Sequence, residues 1–200
     1  MKLIYKGRYK SEEQLPKGTL PLGAVKFREP STPEELNKVM MWFMIPALIL
    51  IALIVIGSAV LHGSLNFRFG SLRFWAGIML TLLILLPHEL LHAICFGKGA
   101  EVELYVSPKQ MILFVVSTKA ITKGRFIFLS LLPNLVFGWA PLLIWAALPY
   151  GAHSTVLFSF SAVSILCGVG DYMNVYNAIR QMPKGSMQQL SGFNSYWFMP

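Results

Sequence analysis

The densest chemistry in the chain lies in Pro87-His88-Glu89-Leu90-Leu91-His92-Ala93. Two imidazoles four residues apart share one face of a helix. At that spacing both can bind one zinc ion, and the Glu89 carboxylate beside them can act as base toward a water on the metal. The setting sharpens the reading. The motif sits inside the apolar run from Phe74 to Phe96. An ionisable group at bilayer depth costs ~2.5 kcal/mol or more, which makes it a functional position by default. The bland alternative is a polar patch that hydrogen-bonds between helices.

A zinc ion that keeps one position open for water needs a third protein ligand. After Glu103 the chain contains one acidic residue, Asp171, which is also its only aspartate. At ~1.5 Å rise per residue, His88 lies ~12 Å inside the end of its apolar run at Phe96, and Asp171 lies ~14 Å from Arg180. The depths agree, so Asp171 is the candidate third ligand. The competing reading is a buried carboxylate paired with Arg180 or with backbone donors. His62 and His153 fall at the opposite ends of their runs and are expected at the interface, not on the metal. Cys95 and Cys167 share helix faces with His92 and Asp171 and are expected to be reduced packing residues. Asn134, eight residues into its run from Phe126, is also ~12 Å deep. It could bond a substrate carbonyl or fix a carboxylate. Asn174, three residues after Asp171, could orient that aspartate.

These residues need helices to carry them. Four stretches are long and apolar enough to cross a bilayer core of about 30 Å: Trp42–Leu61, Phe74–Phe96, Phe126–Leu148 and Ser154–Ile179. Pro46, Pro87, Pro133 and Pro141 fall inside them, which membrane helices tolerate when neighbours satisfy the freed carbonyls. Thr32 is the expected N-cap of the first helix, with Pro33 as its first residue and Glu35 as the capping-box partner. Between the second and third spans, Val102, Leu104 and Val106 alternate with Glu101, Glu103 and Tyr105, and Ser107-Pro108-Lys109-Gln110 reads as a turn. The expected fold is therefore an all-α membrane protein, a four-span helix bundle with one small cytosolic β-hairpin. Residues 1–40 would form a cytosolic segment, 41–182 the membrane domain and 183–200 a cytosolic tail.

Composition agrees with a membrane protein. The 200 residues are 55% hydrophobic and 13% charged, where soluble domains carry about 25% charged residues. The net charge of +8 is not clustered with aromatics in a groove-like pattern, so nucleic acid is not expected as a partner. The lipid bilayer explains it better. Segments on the N-terminal side of the spans hold fifteen of the lysines and arginines and the opposite side two. The positive-inside rule then puts both termini in the cytosol. No cleavable signal peptide is expected, since no apolar core precedes Met40.

A HELLH motif in a span, a hairpin, an asparagine-bearing span and a late intramembrane aspartate together resemble the site-2-protease-type intramembrane zinc metalloproteases. The small four-span form resembles the putative zincin peptidase family, a bacterial group, over roughly residues 40–182. The resemblance implies His88, His92 and Asp171 as zinc ligands, Glu89 as catalytic acid/base, a membrane-protein substrate and a bacterial plasma-membrane location. Two local settings differ from the larger family: Pro133 directly precedes Asn134, and Asp171 stands between Gly170 and Tyr172. The expected activity is peptide-bond hydrolysis near the cytosolic side of the bilayer. The alternatives are another membrane-embedded zinc hydrolase, or an inactive scaffold with a vestigial zinc site. The presence of Glu89 argues against the last, because a structural site does not need it.

Overall fold

A computed structural model describes residues 1–30, 32–64, 67–108, 112–149, 151 and 154–200. The chain forms two compact units. One comprises Met1–Glu29, Leu85–Leu132 and Asn174–Pro200, and the other Pro30–Ile84 and Pro133–Met173.

The first unit carries the β-structure. Strand β3 (Glu101–Ser107) pairs antiparallel with β4 (Ile112–Val116), where a hairpin is expected, with Leu104 opposite Val115. Lys109 and Gln110 of the expected turn lie outside the described residues. On its other side β3 pairs in parallel with β1 (Lys2–Arg8), giving the order β1-β3-β4. A second sheet joins β2 (Val25–Lys26), β5 (Ile121–Thr122), β6 (Met187–Ser191) and β7 (Asn194–Phe198) in the order β2-β7-β6-β5. The β6–β7 hairpin turns through Gly192 and Phe193, and Gly192 takes φ 63°. Positive φ at that position matches the right-handed strand twist. Val102, Phe126, Leu129 and Ala178 share this unit's core. Tyr105 is buried, and its hydroxyl sits 2.6 Å from Glu103 Oε2 and 2.8 Å from the Gln14 carbonyl. Burial and the Glu103 charge both raise its pKa, so the hydroxyl stays a donor.

The expectation of an all-α bundle is therefore wrong. Among the described residues the fold is 56% helix and 17% strand, with seven strands in two sheets. The N-terminal segment supplies one strand to each sheet, and the C-terminal tail supplies two to the second. Apart from the β6–β7 hairpin, the pairings of these strands are distant in sequence: β1 meets β3 across some ninety intervening residues. Pairing of that kind depends on side-chain packing against the neighbouring strand and not on local propensity.

The second unit is helical. Helix α1 (Pro33–His62) starts on Thr32, whose hydroxyl accepts from the Glu35 N–H at 3.2 Å. Helix α2 (Leu72–Leu83) packs on α6 (Ser154–Cys167), and Thr81 Oγ1 lies 3.3 Å from both the Gly77 and the Phe160 carbonyls. Between Pro133 and Pro141 the helix widens into a π-turn, Leu135–Trp139, which leads into α5 (Ala140–Ala147). Neither proline has an N–H to donate to the α-helical ladder, and such turns recur at functional sites. Leu142, Trp145 and Ile165 form the buried centre.

Two further helices continue into the first unit from this one. Helix α3 (Leu85–Cys95) follows α2, and α7 (Val169–Gln181) follows α6 after Gly168; α4 (Lys123–Asn134) precedes the π-turn. Glu34–His62, Leu72–Cys95 and Lys123–Ala147 are long and apolar enough to cross a membrane, and the bent pair α6–α7 passes the same test as one span. Trp42, Val60 and Leu61 on α1 are 74%, 80% and 70% exposed. Water disfavours so continuous an apolar surface, and lipid does not. The molecule is compatible with a membrane protein of three to four spans.

Candidate metal centre

Helix α3 carries LLPHELLHAIC. Pro87 falls in its first turn, where a missing N–H breaks no intrahelical bond. One turn separates His88 from His92, and their rings meet edge-on with centroids 4.9 Å apart. One ligand atom from each of His88, Glu89 and His92 can be chosen so that all three lie within 4.8 Å of one another. His92 is buried, and the other two are half-buried.

Backbone groups of the first unit orient two of the three, His92 and Glu89. His92 Nδ1 lies 2.9 Å from the Leu129 carbonyl on α4. A carbonyl only accepts, so Nδ1 carries the proton and the lone pair resides on Nε2. That is the arrangement a metal-binding histidine adopts. Glu89 Oε2 accepts from the Val115 N–H of β4 at 3.1 Å. Because β4 is the outer strand of its sheet, that N–H points away from β3 and reaches α3. The donor set fits zinc: two imidazoles, one with its tautomer fixed, and a carboxylate beside them.

The second unit holds Asp171 and Asn134. Asp171 lies in the first turn of α7, and Asn134 Nδ2 donates to its Oδ2 at 2.7 Å. Asn134 is 1% exposed. Its Oδ1 accepts from the Tyr172 hydroxyl at 3.2 Å, and that hydroxyl accepts from Trp139 Nε1 at 3.0 Å. A Cβ added at Gly168 would overlap the Asn134 side-chain amide, so glycine is what admits the amide there. Asn174 is half-buried on the part of α7 that belongs to the first unit.

The structure thus brings His88, Glu89 and His92 together in one unit, and Asn134 and Asp171 together in the other. Cys95 and Cys167 are free thiols; Cys95 is half-buried, while Cys167 is exposed and not packed as expected. His62 Nε2 sits 3.1 Å from the Ala146 carbonyl, and His153 lies outside the described residues. Sequence reasoning missed Tyr172, Trp139 and Gly168 in the second unit, and the Leu129 carbonyl and Val115 N–H in the first. Two polar-tipped aromatics close to Asn134 and Asp171 are a signal that could have pointed to the former pair. The Val115 N–H carries no mark in the sequence, whereas Pro133, four residues after Leu129, has no N–H to take that carbonyl and is the signal that could have found it.

Two histidines and a glutamate on one helix, set for a divalent metal, define a metallopeptidase-type centre of the zincin class. Over residues 80–187, more than half its length, the chain matches the family described as Putative zincin peptidase, and it belongs to that family. Comparison with curated proteins and with solved structures finds no match. The family supports a zinc metallopeptidase at the level of activity class and implies zinc as its metal.

Proposed function

We propose that this protein is a membrane-embedded zinc metallopeptidase that hydrolyses peptide bonds of membrane proteins near the cytosolic side of the bilayer. In this reading His88, His92 and Asp171 hold the metal. Bound zinc supplies Lewis acidity, polarising a carbonyl and lowering the pKa of water. Glu89 accepts the proton of the attacking water and delivers it to the leaving amine. The Val115 N–H keeps the Glu89 carboxylate in one orientation through that exchange. Any extended substrate segment pairing with the edge of β4 would use positions other than Val115, whose N–H is committed.

The observation that carries the reading is the clustering of His88, Glu89 and His92 with the His92 tautomer fixed for ligation. Its test is Glu89→Gln. The variant should keep its fold and zinc and lose turnover by ~10²–10⁴-fold, and an uncleaved membrane protein should accumulate in cells that carry it. If zinc stays, no membrane protein accumulates and the variant fully rescues a deletion phenotype, the chain is a scaffold and not a peptidase.

The cytosolic placement of both termini is part of the same proposal and rests on the charge asymmetry. In a background lacking Cys95 and Cys167, cysteines placed at Ser64 and Gly151 should be labelled from outside the cell, and one at Lys119 should not. Outside labelling at Lys119 would overturn the topology.

A further inference from the structure

We propose that Tyr172 and Trp139 are positioning residues of the metal centre, acting on Asp171 through Asn134. The inference rests on the reading of Asp171 as a zinc ligand. The direction of each hydrogen bond follows from the donor inventory. Trp139 Nε1 can only donate, and it lies 3.0 Å from the Tyr172 hydroxyl. That oxygen is thereby an acceptor toward Trp139, and its own proton goes to Asn134 Oδ1 at 3.2 Å. With its oxygen engaged, the Asn134 amide must turn its NH₂ to the Asp171 carboxylate, where Nδ2 meets Oδ2 at 2.7 Å. The flipped amide would set oxygen against carboxylate oxygen and lose both bonds.

The result is a one-way relay, Trp139 to Tyr172 to Asn134 to Asp171, in which every donor points toward the anion. Such chains polarise one another, and the effect is largest in a low-dielectric setting. Asn134 is 1% exposed, so neither end of its amide can be satisfied by bulk water instead. The π-turn ends at Trp139, and Gly168 leaves the space the amide fills. Partners that hold a metal-binding carboxylate in place typically change metal affinity by 10–100-fold when removed.

A bundle-stabilising role would use the same bonds, so the test must separate the two. Zinc affinity of the full-length protein in detergent is measured by chelator competition, with thermal stability recorded on the same samples. Tyr172→Phe keeps the ring and removes the hydroxyl. It should weaken zinc binding by about 10-fold or more. Trp139→Phe, which leaves Tyr172 in place, should weaken it less and in the same direction. Asn134→Ala combined with Tyr172→Phe should bind zinc no more weakly than Asn134→Ala alone, because Tyr172 acts only through the amide. Wild-type zinc affinity in Tyr172→Phe, or losses that simply add in the double variant, would overturn the relay. If Asp171→Ala itself retains full zinc affinity, the ligand reading has failed instead. If Asp171→Ala loses zinc and Tyr172→Phe does not, only the relay has failed.

Discussion

The first unit holds its chemistry with backbone atoms, and the second with side chains. His92 is oriented by the Leu129 carbonyl and Glu89 by the Val115 N–H. Asp171 is held by Asn134, which is in turn set by Tyr172 and Trp139. Each follows from what surrounds the helix. Beside α3 lies an edge strand, whose outward N–H groups have no neighbouring strand to bond. Inside a helical unit the backbone is already paired along each helix, so a carboxylate there must find side chains. Backbone contacts survive most replacements of the residue that makes them. A side-chain relay fails with the loss of one atom.

That difference can be broken by a graded series on the first unit. His92→Ala removes a ligand and should abolish tight zinc binding, read by metal analysis of the purified chain. Val115→Pro should come next. An edge strand tolerates proline where the N–H does not serve the ladder, so the substitution removes the Glu89 contact and leaves the ladder intact, with some loss of the Val115 side chain's packing on the core. Turnover should fall by about 10-fold, at the scale of a lost hydrogen bond to a charged group, with zinc content unchanged. The smallest effect on the metal should come from Leu129→Ala. Truncating this core side chain should destabilise the protein by ~2–5 kcal/mol, while the carbonyl that binds His92 remains and zinc affinity holds. If Leu129→Ala weakened zinc as strongly as Tyr172→Phe, the contrast between backbone and side-chain support would collapse.

The same contrast explains what the sequence disclosed. His88, Glu89 and His92 were readable because helix periodicity alone puts i and i+4 on one face. Asn134 and Asp171 stand out as polar groups at similar depth in apolar runs, but depth alone left a substrate carbonyl and a carboxylate both open as the partner of Asn134. The Thr32 cap was legible because its chemistry is local. The sheets were not. The β6–β7 hairpin within 187–198 is local, but the partner of residues 2–8 and the strands that flank the hairpin are set by contacts far along the chain. The Val115 contact is made by an N–H that every residue but proline possesses, so no side chain marks it; the Leu129 carbonyl is marked only by Pro133, four residues on, which has no N–H to take it. Tyr172 and Trp139 carried a weaker mark, a polar tip on an aromatic body, which membrane proteins also use at interfaces.

The account depends most on Asp171, the one proposed ligand contributed by the second unit. The decisive measurement is zinc per chain in purified Asp171→Ala, beside the wild-type protein prepared in the same way. We expect about one zinc in the wild type, as a three-ligand catalytic site holds, and a large loss in the variant with its helical content intact. Full zinc retained in a folded Asp171→Ala would remove Asp171 from the metal and leave the relay that holds it without a catalytic purpose.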